Sequence, residues 1–334
     1  MKNIKTSLFY FFRENITILL VLILFIFFSL TNSDFRKFEN FTNIFAYSSI
    51  LGIVSLGMTF VILLGMFDLS VGGILCLAAT LHTIWCMGHF FLYLPPPGSI
   101  MFIKELNPLL PEFLLFVLII VLIGGGFGLL NGAVISYFAV PSIIVTLGTQ
   151  ILTRGIAYTI SGGNPLYTVP PYLIFLGQTE IIGFPLSFLV WLSLLIIMWI
   201  VLKYTKIGRY IYQVGGNPEA AYAAGVSLIK TKIFAMMISG MLAALAGLIM
   251  TGRTLLSHPH YGIGIELDAI AAVVAGGTSL SGGRGGVLNT LTGVFFLSII
   301  TNILNLFAVE AIIQYVVKGI FLIIIILIMR ILGR

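Results

Sequence analysis

An otherwise apolar chain carries one polar, basic island, Lys203 to Lys232, with cations at Lys203, Lys206, Arg209, Lys230 and Lys232. Within it, Asn217, Pro218, Glu219 and Gly225 are spaced to specify a helix at both ends. Asn217 can cap the first free N–H groups, Pro218 suits the first helical position, Glu219 suits the positive end of the helix dipole, and Gly225 offers a stop. The spacing predicts a surface helix of about two turns. Glu219, Ala220 and Ala221, followed by Gly225, present small side chains on which another protein can pack closely. Read alone, the island is first a loop held on one side of a membrane by its charge.

Few other ionisable groups stand among the apolar residues. Asp68 precedes Leu69, Ser70, Val71 and Gly72, and either caps the next helix or lines a route at a helix break. Arg154 and Lys318 fall near the ends of apolar spans, where each either snorkels to the headgroups or pairs with an acid inside the bundle. His258 and His260, with Glu266 and Asp268 after them at an expected outer mouth, do not make a metal site by their spacing alone. Cys76 and Cys86 share one hydrophobic segment with no second pair, which reads as buried thiols.

The elements that position these residues follow from composition. Of 334 residues, 59% are hydrophobic and 8% charged, with mean hydropathy +1.14, whereas a soluble domain carries roughly 25% charge. The chain is therefore an integral membrane protein. Nearly unbroken apolar runs such as Ile16 to Leu30 exclude the short alternating segments of a β-barrel. The net charge of +6 belongs to membrane insertion, and no nucleic-acid partner is expected. The expected fold is all-α, one domain over residues 1–334 with about ten transmembrane helices. The proposed spans are 16–31, 44–66, 69–88, 111–137, 142–161, 185–202, 233–251, 267–279, 286–307 and 311–330, the eighth too short to cross a ~30 Å core alone. Placing the first residue inside puts eleven cations on inner segments and only Arg36, Lys37, Lys104 and Arg253 outside. Lys2, Lys5 and Arg13 precede an apolar run as in a signal peptide, but no small-residue cleavage site follows, so a retained first span is expected. Thirty-six glycines, among them Gly124 to Gly128, Gly240, Gly247 and Gly252, mark closely packed or bent helices, with packing the expected role.

Four motif blocks then stand in order. GMTFVILLGMFDLSVG at 57–72 resembles the segment G-M-T-x-V-I-x-x-G-x-x-D-L-S-V-G of the permease subunits of bacterial ribose, xylose, galactose and related sugar ABC importers. PSIIVTLG at 141–148, continuing to Arg154 and Gly155 after Asn131 and Gly132, is similar to a second family segment. Gly208 and Arg209 with GGNPEAA at 215–221 and AGV at 224–226 resemble its cytoplasmic segment, and AGGTSLSGGRG at 275–285 its last. The blocks cover most of residues 44–330.

The resemblance implies an ABC importer permease in the bacterial inner membrane, multi-pass, with both termini cytoplasmic. Its segment at about 203–232 is implied to dock on a separate ABC ATPase through Arg209, Gly216, Asn217, Pro218, Glu219, Ala220, Ala221 and Gly225. The chain has no G-x-x-x-x-G-K-[ST] loop, so it binds no cofactor itself, and ATP with Mg is used by the partner. Further implied partners are an extracytoplasmic solute-binding protein, met by the outer cations Arg36, Lys37 and Arg253, and a second permease copy, identical or paralogous, within the lipid. Asp68, Asn131, Thr146, Thr149 and Gln150 are candidate pathway residues that either hydrogen-bond sugar hydroxyls or satisfy one another. Other expectations stay open: a nucleoside or other small solute, or a self-sufficient secondary transporter or channel, for which the spans hold few acids besides Asp68.

Overall fold

The computed structural model describes residues 2–90 and 110–331. Helix α1 (Lys2–Thr31) turns at Asn32, whose Oδ1 accepts from the N–H groups of Asp34 (2.8 Å) and Phe35 (3.1 Å), into α2 (Phe38–Leu63). There follow α3 (Val71–Phe90), α4 (Leu110–Phe138), α5 (Ser142–Ser161) and a short α6 (Pro171–Gln178). A hairpin of β1 (Glu180–Ile181) and β2 (Phe184–Pro185), in register Glu180 to Pro185 and Ile181 to Phe184, leads to α7 (Leu186–Tyr204). The island folds as α8 (Lys206–Gly216) and α9 (Pro218–Ala223), followed by α10 (Leu228–Thr254), α11 (Ile265–Ala275), α12 (Val287–Leu306) and α13 (Ala311–Ile331). The hairpin is the one sheet among the described residues, so the all-α class stands.

Helix α2 is the mast of the bundle. Every residue from Ser48 to Leu63 is buried, against α7, α10, α11 and α12. A helix with no outward face must be apolar all round, as α2 is. Helices α4, α5 and α7 instead turn large apolar side chains outward, Leu122, Ile144, Ile151 and Ile197 among them, as lipid-facing helices do. Gly124, Gly128 and Gly132, spaced four apart on α4, face Gly240, Met236 and Ile233 of α10. This small-residue stripe lets two backbones touch where lipid supplies no hydrophobic drive.

Among the described residues six helices are long and apolar enough to cross a membrane: α2, α4 from Leu114, α5, α7, α10 and α12. Shorter apolar stretches at Thr17–Thr31, Val71–Met87 and Ile312–Phe321 add to them, so the described residues do not by themselves reach ten full spans. Helix α11, at eleven residues, is as short as its sequence required. The expected outer loop around Pro95 to Gly98, with Lys104, lies outside the described residues.

The glycine stripe yields a paired expectation. A Cβ at Gly128 would overlap Met236 O, whereas at Gly126 nothing lies within 4 Å. Overpacking a tight contact costs about 1–3 kcal/mol, and open-surface changes stay within about 0.5 kcal/mol. Gly128→Leu should therefore lower the thermal unfolding midpoint of the detergent-purified protein, while Gly126→Ala leaves it unmoved. Equal midpoints would remove the stripe from the packing argument.

Candidate functional site

Helix α2 stops with Gly65 donating to Ile62 O (2.8 Å) and Met66 to Val61 O (3.1 Å), a left-handed glycine cap that reverses the chain. From Leu64 to Ser70 the backbone is then non-helical, although it lies inside the bundle. Neighbouring helices supply its partners. Ser142 Oγ accepts from Phe67 N–H (3.1 Å), Thr146 Oγ1, which donates to Ser142 O (2.8 Å), lies 3.5 Å from Phe67 O, and Asp68 Oδ1 accepts from both the N–H (3.0 Å) and the hydroxyl (2.5 Å) of Ser70. Asn131 Nδ2 donates to Ser70 Oγ (3.0 Å), and Thr149 Oγ1 donates to Asn131 Oδ1 (2.5 Å). One residue on, Gln150 Nε2 donates to Glu266 Oε1 (3.1 Å). The five candidate pathway residues are thus neighbours around one helix break. Asp68, Asn131 and Thr146 are buried, with Asp68 closing the turn before α3, while Thr149 and Gln150 are half-buried.

The break is anchored at one end of the bundle by backbone alone. Leu63 O accepts from Gly283 N–H (2.9 Å), and Gly215, at the end of α8, lies so close to Leu63 O that a Cβ would overlap it. The loop from Gly276 to Gly286 is closed by Ser279 N–H donating to Arg284 O (3.0 Å) and by Tyr212 OH donating to Gly285 O (2.8 Å). Burial raises the Tyr212 phenol above its ordinary range, which keeps it a donor.

From this junction the island projects outward. Asn217 Oδ1 accepts from Ala220 N–H (3.0 Å), Pro218 holds the first position of α9, and Gly225, at φ +80°, stops the helix with its N–H on Tyr222 O (2.9 Å). Arg209 and the run Gly216, Asn217, Pro218, Glu219 and Ala220 are exposed, as is Gly225. Ala221, expected on the docking face, turns inward with 4% of its surface exposed and fastens α9 to the bundle. The island also holds a second helix that the cap-and-stop pattern missed. Its signal was Thr205, whose Oγ1 accepts from Gly208 N–H (3.3 Å), ahead of Gly208, Ile211 and Val214 on one buried face.

Arg36, Lys37 and Arg253 gather at the opposite end. Lys37 pairs with Asp34 (2.7 Å) on the exposed turn into α2, and that hydrogen bond raises its pKa above the ordinary lysine value. Arg253 is half-buried, with Nη2 3.4 Å from Asn43 Oδ1 near the start of α2. Glu266 and Asp268 are both half-buried: Glu266 reaches Gln150 beside Gly72, and Asp268 pairs with Lys318 (2.6 Å). Arg154 satisfies backbone instead of an acid, donating from Nη1 to Pro259 O and Tyr261 O (3.1 Å each). Cys76 and Cys86 are free and buried, and no group of three or more metal-binding side chains occurs among the described residues.

A family described as "Branched-chain amino acid transport system / permease component" matches residues 40–326. The chain belongs to this permease family. The ribose import permease protein RbsC of Haemophilus influenzae is 35% identical to it, covering 98% of this chain and 97% of the relative. RbsC of Bacillus subtilis is 36% identical over 92% and 90%, and the D-allose transport system permease protein AlsC of Escherichia coli 32% over 90% and 86%. No solved structure matches. The resemblance to sugar-importer permeases read from four short blocks therefore extends over almost the whole chain.

In the permease all four blocks meet at the break: 57–72 contains it, 141–155 supplies Ser142, Thr146 and Thr149, and 208–226 and 275–285 supply Gly215 and Gly283. Residues that were not singled out, Ser70, Ser142, Gly215 and Gly283, are the ones that tie the blocks together. Their signal was position inside a block. Because a methyl forced against Leu63 O costs about 1–3 kcal/mol, Gly215→Ala should shift the island relative to α2 and lower solute uptake about tenfold. Protein yield should be unchanged. Uptake at the original rate would show that the junction does not transmit motion.

Proposed function

We propose that this permease is the membrane-spanning subunit of an ATP-driven ABC importer for a monosaccharide of the ribose, allose or arabinose kind. The observation that carries the reading is the exposed, doubly capped α9, joined through Gly215 to Leu63 and the helix break of a chain whose relatives are sugar permeases. ATP-driven closure of a separate ABC ATPase displaces this rigid helix, and the backbone junction passes the displacement to the membrane helices. Exposed Arg209, Gly216, Asn217, Pro218, Glu219, Ala220 and Gly225 form the docking face, with Ala221 as its anchor. The permease binds no nucleotide, and ATP with Mg belongs to the ATPase. Two copies, identical or paralogous, enclose the pathway, and about ten segments of each enter the inner membrane. The Asp68, Asn131, Thr146, Thr149 and Gln150 network holds the break that moves during transport. An extracytoplasmic binding protein delivers the sugar at the end bearing Arg36, Lys37 and Arg253, where exposed charges orient encounter.

Reconstitution of the permease with its ATPase and binding protein tests this reading. Uptake of D-ribose, D-allose or L-arabinose should require both partners and ATP, and L-leucine should not be carried. Glu219→Lys should cut binding-protein-stimulated hydrolysis about tenfold, since a reversed charge on a docking face commonly costs over 1.4 kcal/mol. Arg36→Glu with Lys37→Glu should slow that stimulation most at low salt. Sugar flux without ATPase or binding protein would favour a facilitator instead.

The orientation has its own measurement. With both termini cytoplasmic, the island faces the cytoplasm and the β1–β2 hairpin, where Ile182 is 93% exposed, faces outward. In a background lacking Cys76 and Cys86, Ile182→Cys should be labelled in intact cells by an impermeant maleimide, and Gly216→Cys only after permeabilisation. The reverse pattern would invert every partner assignment.

A further inference from the structure

Ser70 takes up Asp68 Oδ1, while the buried Asp68 Oδ2 has no hydrogen-bond partner among the described residues; a different place in the fold has both the space and the chemistry to hold a sugar. A cavity of about 320 Å³ lies between α2, α10, α11 and α13, at the end of the bundle away from the island. Its polar wall is the ion pair of Lys318 Nζ with Asp268 Oδ2 (2.6 Å), with Tyr47 OH 3.4 Å from the same ammonium. Gln314, Tyr315 and Arg253 also line it, with apolar side chains such as Ile50, Leu51 and Met250 making up much of the rest, and Tyr315 is half exposed at the rim. Gln314 is held in place by Nε2 donating to Asn305 Oδ1 and Val309 O (2.9 Å each). Among the described residues Asp268 Oδ1 has no hydrogen-bond partner.

We propose that this cavity is the waiting site of the monosaccharide in the outer half of the permease, with Asp268 and Lys318 binding its hydroxyls and Tyr47 and Tyr315 its C–H faces. The proposal rests on the importer reading above. A charged pair inside an apolar bundle is rarely retained for stability, because its desolvation offsets its attraction, and such groups mark solute routes. A sugar hydroxyl both donates and accepts. It can therefore give its proton to Asp268 Oδ1 while its oxygen accepts from Lys318, leaving the ion pair intact. The sugar ring also has weakly polar C–H faces suited to tyrosine rings. The cavity volume falls in the ~300–1,000 Å³ range of small-molecule sites. Asp268 stands in the first turn of α11, whose last residue, Ala275, is bonded through its carbonyl to Thr17 of α1 and leads into the Gly276 to Gly286 loop. One rigid helix thus runs from the Asp268 carboxylate to the junction with the island.

Two arms test the site. In the first, the double variant Asp268→Leu/Lys318→Met removes both charges and leaves no buried ion unpaired. If the pair only holds helices together, this variant transports normally. The waiting site predicts about tenfold lower D-ribose uptake with basal ATP hydrolysis retained, since losing hydrogen bonds to charged groups has that effect. Should the variant fail to accumulate, Tyr315→Ala, which leaves the ion pair in place, should show a similar loss, and normal uptake by it would overturn the proposal. In the second arm, Gln314→Cys in a background lacking Cys76 and Cys86 is labelled by a small cationic methanethiosulfonate, with no ATPase present. D-ribose or L-arabinose should slow the labelling and L-leucine should not. Labelling that no sugar alters, or that only L-leucine slows, would reject the site. Absence of ATP-dependent uptake by the unmodified permease would count against the importer reading and leave the protection result to judge the cavity.

Discussion

A backbone amide inside an apolar bundle must find a partner, because none comes from lipid and an unpaired group costs several kcal/mol. Helices meet this demand internally. The chain between Leu64 and Ser70 does not, and much of the surrounding structure answers its need: Ser142 takes the N–H of Phe67, Asp68 the N–H of Ser70, and Gly283 the carbonyl of Leu63. Each partner comes from a segment whose sequence is specified residue by residue. The break could not move independently of α5 or the Gly276 to Gly286 loop without leaving some of these groups unpaired, and Gly215 of α8 packs against the same Leu63 carbonyl. Rigid displacement of the set is the remaining option, and it suits a subunit driven from one end.

The two ends of the permease differ in how they make contact. At the island, tight association is backbone on backbone, with Gly215 against Leu63, while the outward face of α9 is small and open. At the other end, side-chain pairs join close backbone contacts such as Gly252 against Leu173 O: Lys318 with Asp268, Arg253 near Asn43, Lys37 with Asp34. Backbone contacts transmit force without rotamer slack. Side-chain contacts can exchange partners with a passing solute. Helix α11 joins the two regimes, with Asp268 in its first turn and the junction loop after its last.

Legibility in the sequence followed how local each determinant is. The cap, the proline, the acid and the glycine of α9 act within ten residues, and the sequence pattern located that helix and its stop correctly. The amphipathic α8 before it was overlooked because its buried face is only three residues, Gly208, Ile211 and Val214. Span positions were legible from hydropathy, while full crossings were harder to count, since α11 is a half-length helix and α3 begins inside the bundle. Ion pairing between Asp268 and Lys318, fifty residues apart, has no local signal at all. The polar residues of blocks 57–72 and 141–155 were recognised individually, but only three dimensions show that they share one break.

The Gly215 junction has a consequence for how such a permease can diversify. Where two surfaces meet through side chains, a change on one can be compensated by a change on the other, and both drift together. Where they meet through a carbonyl and a hydrogen-only Cα, no compensating residue exists, and the contact is fixed in kind. The exposed face from Gly216 to Gly225 bears no such restriction, apart from the backbone requirement at its stop. Under the proposed docking role, motor recognition and force transmission are thereby separable traits: the face could be rewritten to suit a different ATPase while the linkage beneath it is inherited unchanged.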